Sequence, residues 1–207
     1  MANSFFIKDK ISEHFKKNTI NYVLSFLSIV VGVAIGVFLI FNNSKYTSLL
    51  TAADKNMFDI INGTISCAEI FSTSFLDIML CLVIILVFSL NIYSSFLNYI
   101  FICYQTVLFV LSSAAIITLY GFTGVVNVIF FVIPINILNL LIVTIFSVCG
   151  IERARQKKVF GLGFLESFRE DGYFVKLIIC VLLSLAVCIL HSFIIPTIIK
   201  SFVVINY

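Results

Sequence analysis

Tryptophan is missing from this 207-residue chain, proline and histidine occur twice each, and charged residues make up only 11% of it. An ordinary soluble domain is about 25% charged, so too little polar side chain is present to clothe a water-soluble globule of this size. Six cysteines fall well short of the ~8–10% of a disulfide-stapled secreted scaffold, and most of them sit within apolar runs. A net charge of +3, with no basic stripe carrying interleaved aromatics, argues against nucleic-acid binding. Chemistry is equally sparse. There is no phosphate-cradling glycine loop, no dinucleotide fingerprint, no Ser/His/Asp or Cys/His set and no pair of carboxylates in a plausible cleft, so neither an enzyme nor a cofactor is expected. The two histidines, His14 and His191, are too far apart in sequence to suggest a metal ligand set.

What is abundant is hydrocarbon: 61% of the residues are hydrophobic, against roughly 45–50% in a typical domain. Charges are absent between Lys17 and Lys45, between Asp77 and Glu152, and between Lys176 and Lys200. The first gap holds residues 20–41, which at 1.5 Å per residue reach about 33 Å and match a hydrocarbon core of roughly 30 Å. This run is too long for a signal peptide and ends without a small-x-small cleavage site. The second gap is interrupted by turn-like stretches at 91–98 and 121–124, and divides into spans near 75–93, 99–119 and 125–149. The third gap supplies 177–199. The expectation is an all-α polytopic bundle of five transmembrane helices, residues 20–207, preceded by an amphipathic segment, 1–19.

Charge asymmetry orients it. Lys8, Lys10, Lys16 and Lys17 precede the first span, and Arg153, Arg155, Lys157, Lys158, Arg169 and Lys176 precede the last, so ten of the thirteen basic residues fall in two flanking segments. Short flanks rich in Lys and Arg stay in the cytoplasm. Both flanks share that compartment only if an even number of crossings separates them, which requires three spans in the middle block. The amino terminus is then inside and the carboxyl terminus outside.

Outside the spans, Ile7, Ile11 and Phe15 recur at helical spacing opposite lysines, the pattern of an interfacial helix that serves as an elbow or a docking arm. The outer loop, residues 42–74, mixes Leu49, Leu50, Met57, Phe58, Ile60 and Ile61 with polar residues and carries sequons at Asn42 and Asn62. The inner loop, 152–176, combines Arg153, Arg155, Lys157 and Lys158 with aromatic and acidic residues. It reads either as topological charge that attracts anionic headgroups or as an element that engages a cytoplasmic subunit.

Within the spans, Ser28, Gly32 and Gly36 at four-residue spacing allow another helix to come close. Pro134 removes a backbone donor and frees the carbonyl of Phe130, while Asn136 and Asn139 share a face beside it and are able to satisfy opened backbone or bond a neighbouring helix. His191, five residues before Pro196, is the one ionisable side chain well inside a span on this reading, with Asp77 at the outer mouth of the second. Cys81, Cys103, Cys149, Cys180 and Cys188 read as small apolar packers, and Cys67 as a lone thiol in the outer loop.

The stretches running from Gly121-Phe-Thr-Gly124 to Phe131-Val-Ile-Pro134-Ile-Asn136, and from Leu190-His191 to Pro196 and Lys200, resemble the stage II sporulation protein M family. So does the order of elements along nearly the whole chain. Many relatives carry His-Gly after the first proline and a glutamate five residues beyond it, where this chain has Ile135, Asn136 and Asn139; at His191 relatives often have glutamate. The resemblance implies a non-enzymatic scaffold of the bacterial inner (plasma) membrane that localises peptidoglycan hydrolases during engulfment; a homo-oligomer is a separate expectation. Some relatives look like partners of ATP-driven permeases, so a permease subunit engaging an ATPase through 152–176 is the alternative.

Overall fold

The computed structural model describes residues 12–42, 66–160 and 172–194. Among these residues there is no strand; the chain is helical throughout except for short connections. A helical turn at 12–17 leads into α1 (Thr19–Asn42), followed by α2 (Cys67–Phe88), α3 (Leu97–Asn127), α4 (Ile133–Phe160) and α5 (Tyr173–Ile189). Two short π-helical stretches, Val128–Val132 and Leu190–Ile194, precede α4 and follow α5. Five stretches are long and apolar enough to cross a bilayer: Thr19–Phe41, Cys67–Phe88, Leu97–Phe130, Ile133–Arg155 and Tyr173–Phe193.

Burial runs opposite to that of a soluble protein. Phe26, Phe38, Leu76, Leu80, Phe122 and Leu182 are exposed, whereas Asn21, Ser25, Asn98, Thr106, Ser147 and Ser184 are fully buried. Lipid is the solvent that makes this arrangement favourable, because exposed apolar side chains need no hydrogen bonds there while several of the buried polar groups find partners inside the bundle. The buried hydroxyls do so economically. Ser25, Thr106 and Ser184 each donate to the carbonyl four residues back in their own helix, at 2.8–2.9 Å. This is a multi-pass membrane protein.

The third and fourth crossings are joined by one sharp reversal. Gly121 (φ 55°, ψ −127°) interrupts α3 with a backbone conformation that side chains rarely adopt. The chain folds back so tightly that Gly124 packs on the main chain of Ile116 and Ile117, with no room for a Cβ. Gln105 and Phe109 thereby come alongside residues 135–143. The turn expected at 121–124 is therefore present, and the spans at 99–119 and 125–149 stand side by side.

Other boundaries moved. The second span begins at Cys67 rather than Phe75 and ends at Phe88, with the turn at 89–96. Its start is set by a capping box: Ser66 Oγ accepts from the Glu69 backbone N–H at 3.2 Å, and the Ser66 N–H donates to the Glu69 carboxylate at 2.8 Å. Cys67 is accordingly the exposed first residue of α2 and does not sit in a loop. The expected inner loop also changes at its start. Glu152 to Phe160 continue α4 as helix, because nothing in that stretch breaks a helix and leaving the hydrocarbon does not oblige a helix to stop. Residues 43–65 and 161–171, with the sequon Asn62, and Ile7, Ile11, Arg169, Pro196 and Lys200, lie outside the described residues, as do the side chains of Asn42, Lys157 and Lys158.

Candidate functional site

Polar side chains gather at both ends of the bundle. One end, here called the basic end, brings together the start of α1, the α2–α3 turn, the last turns of α4 and the start of α5. Glu152 on α4 is its hub. Its carboxylate lies 2.9 Å from Lys17 Nζ, 3.5 Å from His14 Nδ1 and 3.8 Å from Lys176 Nζ, so the flanks of α1, α4 and α5 meet at one acid. The crossings between Lys17 and Glu152 are thus even in number, as the charge pattern requires.

Around this hub the remaining polar groups interlock. Asn18 Oδ1 accepts from Asn21 Nδ2 at 3.1 Å, and Asn21 Oδ1 accepts from the Tyr99 hydroxyl at 3.2 Å, tying α1 to α3. Asn98 donates to Ser89 Oγ at 3.1 Å across the α2–α3 turn. Ser89 lies directly on Gly150, whose missing Cβ lets α2 and α4 touch. Arg153, only 3% exposed, stacks its guanidinium 4.9 Å from the centre of the Tyr173 ring, which in turn stacks on Phe146 at 5.4 Å. Arg155 is exposed. Sequence reasoning had grouped Arg153 and Arg155 as loop charges; the structure divides them into an internal tie and a surface charge. His14 sits on the lip of this end. Burial depresses its pKa below the ordinary 6.5, with Glu152 pulling the other way and Lys176 and Lys17 reinforcing the depression.

Along the middle of the bundle, α1 lies chiefly against α3. A Cβ on Gly32 would stand 2.6 Å from the Cys103 carbonyl oxygen, and one on Gly36 would stand 2.8 Å from Val110 Cβ. The Gly-x-x-x-Gly face is therefore filled by the chain's own third helix. Ser25, fully buried, continues that seam, while Ser28 is half-buried and bonds its own helix at Leu24.

The far end encloses a cavity of about 270 Å³ between α2, α3, α4 and α5. Four residues singled out from sequence, Asp77, Asn136, Asn139 and His191, line it together with Ser74, Cys81 and Gln105. The backbone around Pro134 departs from regular α geometry. The Ile133 N–H reaches back five residues to the Val128 carbonyl, widening the helix just ahead of the exposed Pro134, and Asn136 Nδ2 donates to the Val132 carbonyl at 2.8 Å. Asn136 thus serves its own backbone and bonds no neighbouring helix. His191 lies in the second π stretch, with Nδ1 at 2.9 Å from Ser74 Oγ on α2. Among the described residues no group of three His, Cys, Asp or Glu side chains is placed to hold a metal ion.

The hub at Glu152 and the roles of Gln105, Ser74 and Cys81 went unseen in the sequence. A lone acid beside a basic run was the available signal for Glu152. The cavity required knowing which helices are neighbours. No protein-family model, curated protein or solved structure matches this chain.

Proposed function

We propose that this chain is a non-enzymatic scaffold of a bacterial plasma membrane that holds peptidoglycan-remodelling partners, with its basic end in the cytoplasm and its carboxyl terminus on the other side. The resemblance to stage II sporulation protein M supplies the partner class. The observation that supports a holding role is the closure of the basic end on Glu152: three elements are tied there through Lys17, His14 and Lys176, and a carrier that alternates its access has to part such ends during each cycle. Apolar faces along α1 and α2 remain exposed to lipid and to partner helices.

Crosslinking in native membranes followed by capture of the full-length chain tests this. Peptidoglycan hydrolases are expected among the captured proteins. Capture of an ATP-binding subunit joined through Arg155, Lys157 or Lys158, with no hydrolase, would replace the scaffold with the second reading, a permease subunit. That reading draws on one feature, the continuation of α4 to Phe160 as a helical arm carrying those charges.

A further inference from the structure

We propose that the far-end cavity is a binding site for a small organic ammonium, either a free primary amine or the ethanolamine headgroup of a lipid. The inference does not depend on the scaffold reading. It starts from an imbalance of charge. Asp77 is exposed at the cavity, and every described Lys and Arg side chain belongs to the basic end or to the helix leaving it, so among the described residues no cation faces that carboxylate.

The neutral lining leans the same way. Asn136 Nδ2 is engaged by the Val132 carbonyl, and Gln105 Nε2 donates to Cys81 Sγ at 3.1 Å. Each of these amide nitrogens has one of its two N–H groups committed inside the protein, which orients the amide, while neither carbonyl oxygen has a hydrogen bond among the described residues and both remain to offer. Asn139 Oδ1 is buried and accepts no hydrogen bond. A buried acceptor without a donor is costly, and a ligand that brings N–H groups removes that cost. His191 adapts: with its proton on Nδ1 donating to Ser74 Oγ, its Nε2 becomes one more acceptor.

Size and wall chemistry select the kind of cation. At about 270 Å³ the space lies just below the ~300 Å³ at which drug-sized sites begin, so the ligand is compact. A divalent metal would want several anionic or imidazole ligands, and no such group is assembled among the described residues. Ile78, Phe109, Leu140, Val143 and Val187 instead supply an apolar wall suited to the carbon portion of an amine, with an aromatic ring among them.

The test uses the full chain in phosphatidylglycerol nanodiscs with ethylammonium chloride as probe and potassium chloride at equal ionic strength as reference. A saturable rise in Tm of about 2–4 °C is expected with ethylammonium only. Ethylammonium should also slow modification of Cys81 by a neutral thiol reagent at least threefold, followed by mass spectrometry of the Cys81 peptide. Asp77→Asn and Asn139→Leu should each abolish both effects. The Cys81 readout in the unaltered chain stands even where a variant fails to fold. Adding phosphatidylethanolamine to the nanodiscs distinguishes the sources. Protection of Cys81 by that lipid alone assigns the site to a headgroup, and undiminished response to ethylammonium in its presence assigns it to a soluble amine. An equal response to potassium, or an unchanged response in Asp77→Asn, would overturn the proposal.

Discussion

The two ends of this bundle both gather polar groups and use them differently. At the basic end most groups pair with one another, acid with lysines, amide with hydroxyl, guanidinium with ring, although Asn98 Oδ1 accepts no hydrogen bond among the described residues. At the far end they surround a space, and one buried carbonyl oxygen there has no donor. Polar residues inside a membrane protein therefore carry two meanings that composition alone does not separate. Groups that close on each other contribute to stability, whereas groups that converge on a void are arranged for something that enters it.

The sharpest way to break this comparison is at Gly150. Gly150→Val drives a branched side chain into Ser89 and separates α2 from α4, with an expected loss of about 3 kcal/mol or more in SDS-induced unfolding. A loss below about 1 kcal/mol would mean that the basic end is not closely packed. A paired substitution sharpens the contrast. Glu152→Gln should cost about 2 kcal/mol, since it leaves two lysines and the His14 imidazole around a carboxylate site only 12% exposed, while Asp77→Asn without ligand should stay within about 0.5 kcal/mol. Lys17 is 60% exposed, which keeps the Glu152 figure below that of a fully buried pair. Equal losses at the two sites would erase the distinction between the ends.

The smallest effect is that of pH. The folded pKa of His14 lies below 6.5, so the unfolded chain binds more protons between those two values. The stability linked to His14 is intact above pH 6.5 and is lost as pH falls through the folded value. Glu152, Lys17, Lys176, Cys149 at 4.0 Å and the Tyr22 ring at 6.2 Å face this imidazole and set the size of the slope. Thermal midpoints measured from pH 7.5 to 5.5 should decline in the native chain and flatten in His14→Gln. An unchanged slope would remove His14 from the account.

Much of the architecture was legible because lipid enforces it. Charge-free gaps located all five spans, and the Lys/Arg count demanded the even number of crossings that joins Lys17 to Glu152. Helix ends were harder, since a charge gap reports where hydrocarbon begins and not where hydrogen bonding stops. Ser66 and Glu69 had the spacing of a capping box, but hydropathy placed them outside the span; Arg153 and Arg155 marked the edge of the bilayer while α4 ran on past them. The site was legible in part. Asn136, Asn139 and His191 stood out because each is expensive in lipid, yet their meeting with Asp77 and Gln105 depends on the reversal at Gly121 and the contact of α2 with α5, which no local pattern encodes.

One geometric consequence of α4 follows from its length. Twenty-eight residues make a rod of about 42 Å, longer than the hydrocarbon is thick, and Asn136 and Asn139 lie near one tip while Arg153 and Arg155 lie toward the other. Glu152 pins this rod to the flanks of α1 and α5. One unbroken helix therefore joins the wall beside Pro134 to the turns that project past the basic end.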